Sequence, residues 1–339
     1  MTASRWADWR SWAPATKRAL KLALAGLVLA GLVRHVMRVR ADLDARALAL
    51  HFDPAGLLAA GGLYLAGLVA CGAYFWRVLA AGPTPVGPYP AIRAYLISHL
   101  AKYVPGKAMV VVVRSALVAP DGARPAASAF ATLYETLVMM AAGGLLAGAG
   151  LLAVPRSGAA APGSPGDTIA PPGSLAALGF AAGAGFLVLV WPGVFPRLAG
   201  LIRRPLRGVG ADAVPRLSTR LLLEGLAWAA LGWTLLGLSQ VAVIRAVGVG
   251  AADGPTLGAA DWPTVVASVA LATVAGFAVP IAPGGLGVRE WVLWTSLAAT
   301  LDRDRAVVAA LVLRLVWVAA EVAVALALLP IRPRSRAAG

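Results

Sequence analysis

The stretch VPIAPGGLGVREWVLW, Val279 to Trp294, sets a proline, two adjacent glycines and then an Arg-Glu pair where an apolar helix would otherwise continue. An earlier stretch, AKYVPGKAMVVVVRSALV, Ala101 to Val118, has the same build: Pro-Gly, then an arginine inside a valine-rich run. Proline removes a backbone donor and glycine is a poor helix former, so regular helix should stop near Pro105-Gly106 and Pro283-Gly284. Non-helical backbone at membrane depth is tolerated only against protein or a water-filled cavity. Both breaks therefore point to the same kind of place, if the chain is a membrane chain at all.

Composition says that it is. Apolar residues make up 60% of the 339 positions and charged residues only 13%, a balance that describes a polytopic membrane protein and excludes an ordinary soluble domain. The net charge of +15 comes mostly from arginines in loops and tails. That pattern suits cytoplasmic loops beside an anionic leaflet, and no basic patch with interleaved aromatics suggests nucleic acid. The single cysteine, Cys71, lies in an apolar run and reads as a small buried residue.

Working outward from the breaks, apolar segments long enough to span lie at 19–38, 55–81, 125–154, 174–193, 220–248 and 303–329. The fold expected is all-α: a polytopic bundle of six spans plus two Pro-Gly-broken re-entrant hairpins at 88–120 and 262–301. The basic segment 1–18 would precede a membrane domain over 19–330, followed by a basic tail, 331–339. The apolar run after the N-terminal arginines leads into Arg34, His35, Arg38 and Arg40 without a small-residue cleavage site, so it reads as an uncleaved anchor. Arginines crowd the N-terminal segment, the loop 194–220 and the tail, which places all three in the cytoplasm of an inner-membrane protein; Arg38, Arg40 and Arg46 are the dissenting cluster.

With that orientation, region 88–120 begins and ends inside and region 262–301 begins and ends outside. The chain then reads as two units, 55–154 and 220–329, of opposite sense, the inverted-repeat plan of many secondary transporters. Pro105-Gly106 and Pro283-Gly284 are 178 positions apart, but the first helices of the two units start only 165 apart, so the second unit needs an insertion. Segment 262–280 is also long enough to span outright, which would add a crossing.

Arg114, Glu135, Arg289, Glu290, Arg314 and Glu321 all sit in apolar surroundings. A lone charge there costs at least about 2.5 kcal/mol, so these groups should face protein or water and should pair. Arg314 and Glu321 share a helical face two turns apart, whereas the adjacent Arg289 and Glu290 point differently and call for partners on other helices. One reading is an interior site for a lipid headgroup, with arginine forks on phosphate and exposed N–H groups at Gly106, Gly284, Gly285 and Gly287. The other is a set of buried Arg-Glu pairs that lock the bundle. Lys102 and Lys107 flank the first break and face headgroups or the anionic surface, with the surface favoured for both. Arg77 and Glu224, near helix ends, should snorkel.

Enzyme readings are weaker. No Gly-x-x-x-x-Gly-Lys-Ser/Thr loop, His-Glu-x-x-His, clustered metal ligands or Ser-His-Asp set is present, and no cofactor or metal is implied. Asp253 and Asp261 could serve a membrane glycosyltransferase acting on a polyprenyl-linked sugar, but each sits in a turn-like context.

KYVPGK followed by Arg114, a helix with Glu135, then PGGLGVRE and a last helix with Arg314 and Glu321 together resemble the lysylphosphatidylglycerol synthase transmembrane region family over about residues 20–330. Gly284, Gly285, Gly287, Arg289 and Glu290 are the most specific element; Tyr103, Pro105 and Gly106 are weaker. The resemblance implies a flippase-like membrane domain, here without the aminoacyltransferase that two-part members carry. The expected activity is movement of a phospholipid or lipid-linked substrate with a charged headgroup between leaflets. Arg114, Arg289 and Arg314 would hold phosphate, and Glu135, Glu290 and Glu321 would balance charge. The expected partners are membrane lipids, with a homo-oligomer left open; an enzyme or accessory subunit of glycolipid assembly is the alternative.

Overall fold

The computed structural model describes residues 37, 50–103, 108–153, 172–204, 209–249, 257–279, 287–297, 300, 301 and 303–331. Among them are ten α-helices and a minimal sheet. In chain order the helices are α1 (Pro54–Ala80), α2 (Pro88–Ser98), α3 (Ala108–Val118), α4 (Pro125–Leu152), α5 (Pro172–Val190), α6 (Phe195–Arg203), α7 (Thr219–Ala246), α8 (Trp262–Ala278), α9 (Val288–Leu297) and α10 (Arg303–Leu328). Strands β1 (Leu50–Phe52) and β2 (Val247–Val249) pair antiparallel, with His51 opposite Gly248.

The chain is a multi-pass membrane protein of the all-α class. Six helical stretches are long and apolar enough to cross: Pro54–Ala80, Pro125–Leu152, Gly173–Val190, Thr219–Ala246, Ala259–Ala278 and Arg305–Leu328. Five coincide with spans read from the sequence; the sixth reading, 19–38, lies outside the described residues but for Met37. Ala259–Ala278 takes its place in the count, so the two broken regions differ in build. Before the second break stands one apolar stretch of crossing length. Before the first stands the 11-residue α2, extended by a 3₁₀ turn, His99–Tyr103. Helices α3 and α9, of 11 and 10 residues, reach only about 15 Å each and fall short of the roughly 30 Å hydrocarbon core.

The core is α1 packed against α7, and the two run antiparallel. The backbone N–H of Asp53 donates to Ala246 O (2.8 Å), and the Ser239 hydroxyl donates to Ala60 O (2.7 Å). At the far end Arg77 binds Glu224 through Nε (2.6 Å) and Nη2 (3.2 Å). Both charged heads sit at exposed helix ends, as snorkelling side chains do, and there they neutralise each other on the surface of the α1–α7 seam. Both helices begin on a side-chain cap, Asp53 accepting from Ala55 and Gly56 N–H and Ser218 from Leu221 N–H.

The seam is reciprocal. A β-carbon on Gly67 would stand 3.1 Å from Gly232 O, and one on Gly232 would stand 3.4 Å from Gly67 O. Asp53 N–H bonds the last residue of α7, while Arg216 N–H bonds Ala81 O just past the end of α1 (3.2 Å). The neighbours follow suit: α1 packs on α2, α4, α7 and α10, and α7 packs on α8, α10, α1 and α4. Helix α2 packs on α1, α3 and α10, and α8 on α7, α9 and α4. The main packing pairs among these eight helices thus each have a counterpart when 54–152 is exchanged with 219–328. Helix α7 starts 165 positions after α1 (Thr219 against Pro54), and α10 starts 178 after α4 (Arg303 against Pro125). The extra positions fall between α7 and α10, where the sequence reading required an insertion.

Helix α5 stands outside that exchange. It lies on α4 through facing glycines, with a β-carbon on Gly144 placed 2.5 Å from Gly183 N and one on Gly183 2.6 Å from Leu145 N. Only glycine permits so close a backbone approach. The outer face of α5 exposes Leu178, Phe180, Val188 and Leu189, as a lipid-facing helix does.

Candidate functional site

Two groups of buried ionisable side chains lie beside the breaks. The first joins α2, α3 and α4. Arg114 on α3 donates from Nη1 to Glu135 Oε2 on α4 (3.2 Å) and from Nε to the Ser98 hydroxyl (3.0 Å). Its guanidinium carbon lies 4.0 Å from the Tyr95 ring centroid and 4.9 Å from that of Phe75. Glu135 also accepts from the Tyr95 hydroxyl at Oε1 (3.1 Å) and from the Thr136 hydroxyl at Oε2 (3.3 Å). Both charged residues are 2% exposed. Ser98, Tyr95 and Thr136 take up the atoms around the pair, so Arg114 is held by its own protein.

The second group is larger and joins α1, the 3₁₀ turn, α9 and α10. Glu321 on α10 is fully buried, accepts from Lys102 Nζ (2.5 Å) and from the Tyr64 hydroxyl, and leaves Oε2 without a partner. Lys102 therefore belongs to the interior and not to the membrane surface as its sequence context suggested. The α2 segment delivers it there: Arg93 donates to Leu328 O (3.0 Å) and Leu329 O (3.2 Å), capping α10, and the chain then follows α10 back towards Arg314. A guanidinium at a helix C-terminus satisfies orphan carbonyls and complements the dipole.

Arg314 is 3% exposed and lies 5.1 Å from the Tyr103 ring centroid. Among the described residues its Nε, Nη1 and Nη2 have no hydrogen-bond partner, and neither has the Tyr103 hydroxyl. Its nearest carboxylate is Glu290 Oε1, 3.9 Å from Nε. That is an ion-pair distance but too long for a hydrogen bond. Glu290 cannot easily close the gap, because its Oε2 accepts from the Gly287 N–H (2.7 Å) at the start of α9. Gly287 holds φ +85°, in the left-handed region that favours glycine. The neighbouring Arg289 is turned to Trp317 on α10, its guanidinium carbon 4.3 Å from the ring centroid. Trp317 in turn stacks on Tyr64 at 4.2 Å and donates to the Ser239 hydroxyl (3.0 Å), tying the group to the α1–α7 seam. Arg289, Glu290, Leu293, Ala310, Leu313 and Arg314 line a small cleft between α9 and α10.

The structure thus brings Arg289, Glu290, Arg314 and Glu321 together and sets Arg114 and Glu135 apart as a self-contained pair. Lys107, Pro105, Gly106, Pro283, Gly284 and Gly285 lie outside the described residues. Sequence reasoning missed Tyr64, Tyr95, Trp317 and Arg93, whose aromatic or basic character is unremarkable in a membrane chain until the helices are packed; Tyr103 entered it only as part of the first motif. Among the described residues no group of three or more His, Cys, Asp and Glu could hold a metal ion.

The model of the lysylphosphatidylglycerol synthase TM region matches residues 18–325. The chain belongs to that family. The match takes in α1 to α9, most of α10, and both groups of charged side chains. No curated protein matches the chain.

Proposed function

We propose that this family member is a lipid transporter of the flippase type, and not an enzyme, moving a phospholipid or lipid-linked substrate with a charged headgroup between the leaflets of the inner membrane. One observation carries the reading: three cations and two carboxylates gather between helices of both halves, Arg289, Arg314 and Glu321 buried and Lys102 and Glu290 part-buried, with Arg314 donors and a Glu321 oxygen left unsatisfied among the described residues. Buried ionisable groups inside a membrane bundle are costly, and they persist where a polar substrate or proton must pass. A bundle locked for stability alone would close such atoms onto one another, as Arg114 and Glu135 do.

The architecture supports the same reading. Reciprocal packing of 54–152 and 219–328 about an antiparallel α1–α7 seam is what an inverted repeat produces, and a short helix follows each break, α3 the first and α9 the second. The arginine-rich loop 194–220 and the C-terminal end of α10 lie at one end of the bundle, which we assign to the cytoplasm with both termini. Movement would be downhill or coupled to an ion gradient.

The test is reconstitution into vesicles with headgroup-labelled anionic and polyprenyl lipids, following protection of the label from an external quencher. Protein-dependent movement of at least one class is expected. A folded protein that moves none of them rejects the proposal, and chemical conversion of a lipid-linked sugar would replace it with an enzyme.

A further inference from the structure

The two halves carry one ion pair twice, with its sign reversed. In the first half the short helix after the break, α3, supplies the cation Arg114 and the long helix, α4, the anion Glu135. In the second half the short helix, α9, supplies the anion Glu290 and the long helix, α10, the cation Arg314. On the long helices the places correspond, Glu135 being ten residues into α4 and Arg314 eleven into α10, about 15 Å from the start of each; on the short helices they differ, Arg114 being six residues into α3 and Glu290 two into α9.

The two copies differ in how far they are closed. Arg114–Glu135 is neutral and bonded at 3.2 Å, with Ser98 and Tyr95 taking up the atoms around it. Glu290 stops 3.9 Å from Arg314 because the Gly287 N–H anchors its other oxygen. Counting Lys102, Arg289 and Arg314 against Glu290 and Glu321 leaves one positive charge in excess around a guanidinium with three unpartnered nitrogens. A buried guanidinium with free donors recognises an oxyanion whose oxygens match its planar fork.

We propose that the second half alone is the anion-recognition half, and that Glu290 is a resident counter-ion which an incoming phosphate group displaces from Arg314. The carboxylate holds the empty site together without saturating it. Anchored to Gly287, it swings aside with the start of α9 while the phosphate takes the Arg314 donors next to Arg289. Arg114–Glu135, its closed copy, binds no ligand. The inference rests on the transport reading for the use of the site, but not for its occupancy.

The experiment measures ligand-induced thermal stabilisation of the purified protein in detergent. The probes are inorganic phosphate, a short-chain phosphatidate, and the matching diacylglycerol as uncharged control. Wild type should bind the phosphate-bearing probes and not the diacylglycerol. Response to phosphatidate identifies a lipid phosphate; response to inorganic phosphate alone identifies a soluble anion with the same chemistry. Arg314→Gln should weaken binding at least tenfold. Glu290→Gln, which keeps an oxygen for the Gly287 N–H, should tighten it several-fold by removing the competitor. Arg114→Met/Glu135→Met should bind as wild type. Unchanged binding in a folded Arg314→Gln, no gain in Glu290→Gln, or lost binding in the folded double variant each overturns the inference. Vesicle assays on the same proteins keep the two claims separable: binding without headgroup movement rejects transport alone, and movement that survives Arg314→Gln rejects this site alone.

Discussion

Replacing arginine by methionine at positions 114 and 314 should have opposite effects on stability, although the two side chains are equally buried. Arg114→Met strands Glu135, which is 2% exposed and loses its only charged partner among the described residues. Breaking a buried ion pair from one side costs about 3–5 kcal/mol. Arg114→Met/Glu135→Met removes both charges and keeps side chains between Phe75 and Tyr95. It leaves chiefly the Tyr95 hydroxyl unpaired, a cost of about 1–3 kcal/mol, so the double variant should be more stable than the Arg114→Met single. At position 314 the balance reverses. Methionine removes three unsatisfied nitrogens, relieving a penalty of about 1–3 kcal/mol, and gives up a cation–π contact with Tyr103 of about 0.5–2 kcal/mol. Glu290 keeps its bond to the Gly287 N–H. Arg314→Met should therefore unfold within about 1 kcal/mol of wild type, on the stable side. Equilibrium unfolding in mixed detergent micelles reads all three variants. A cost below about 1 kcal/mol for Arg114→Met, or one near 4 kcal/mol for Arg314→Met, refutes the division between a closed pair and an open one.

Gly144→Val drives a side chain into the Gly183 backbone and should cost about 1–3 kcal/mol in the same unfolding assay, whereas Gly62→Ala, with nothing within 4 Å, should be neutral. Arg93→Met uncovers the Leu328 and Leu329 carbonyls; a loss of about 1.5–3 kcal/mol, with faster proteolysis at the end of α10, is the expected result. In a Cys71→Ser background, single cysteines at Gly210 and Gly248 should react with impermeant maleimide from opposite faces of the membrane, since α7 separates them; labelling from one face would reject α7 as a span.

The spans were legible because each needs only a long apolar run, and five runs read at 55–81, 125–154, 174–193, 220–248 and 303–329 meet their helices within about three residues. Arg289 and Glu290 were legible as well: neighbours on a helix diverge, and they do, one towards Trp317 and the other towards Arg314. Pairings that depend on which helices meet were not. Lys102 finds Glu321 across 219 positions, and Arg93 finds Leu328 across 235. Nothing local to Lys102 distinguishes it from a lysine at the lipid surface. Its burial follows from the path of α2 along α10, which Arg93 secures at the other end.

The sign reversal between halves is what a comparison of residue types along the chain hides. Offset by 178, Glu135 falls beside Arg314, and such a match looks like divergence to unrelated residues. In three dimensions each half sets a cation against a carboxylate between its short and its long helix, with the partners exchanged between the two helices. Exchange keeps the pair neutral, so it costs the bundle little; what it changes is which group is tethered. In the first half the carboxylate is on the long helix, where Tyr95 and Thr136 hold it against Arg114. In the second it is on the short helix, held at the helix start by Gly287, and the guanidinium is left facing α9 with free donors. On the proposed reading, a glycine at φ +85°, three residues before Glu290, anchors the carboxylate that would otherwise close on Arg314.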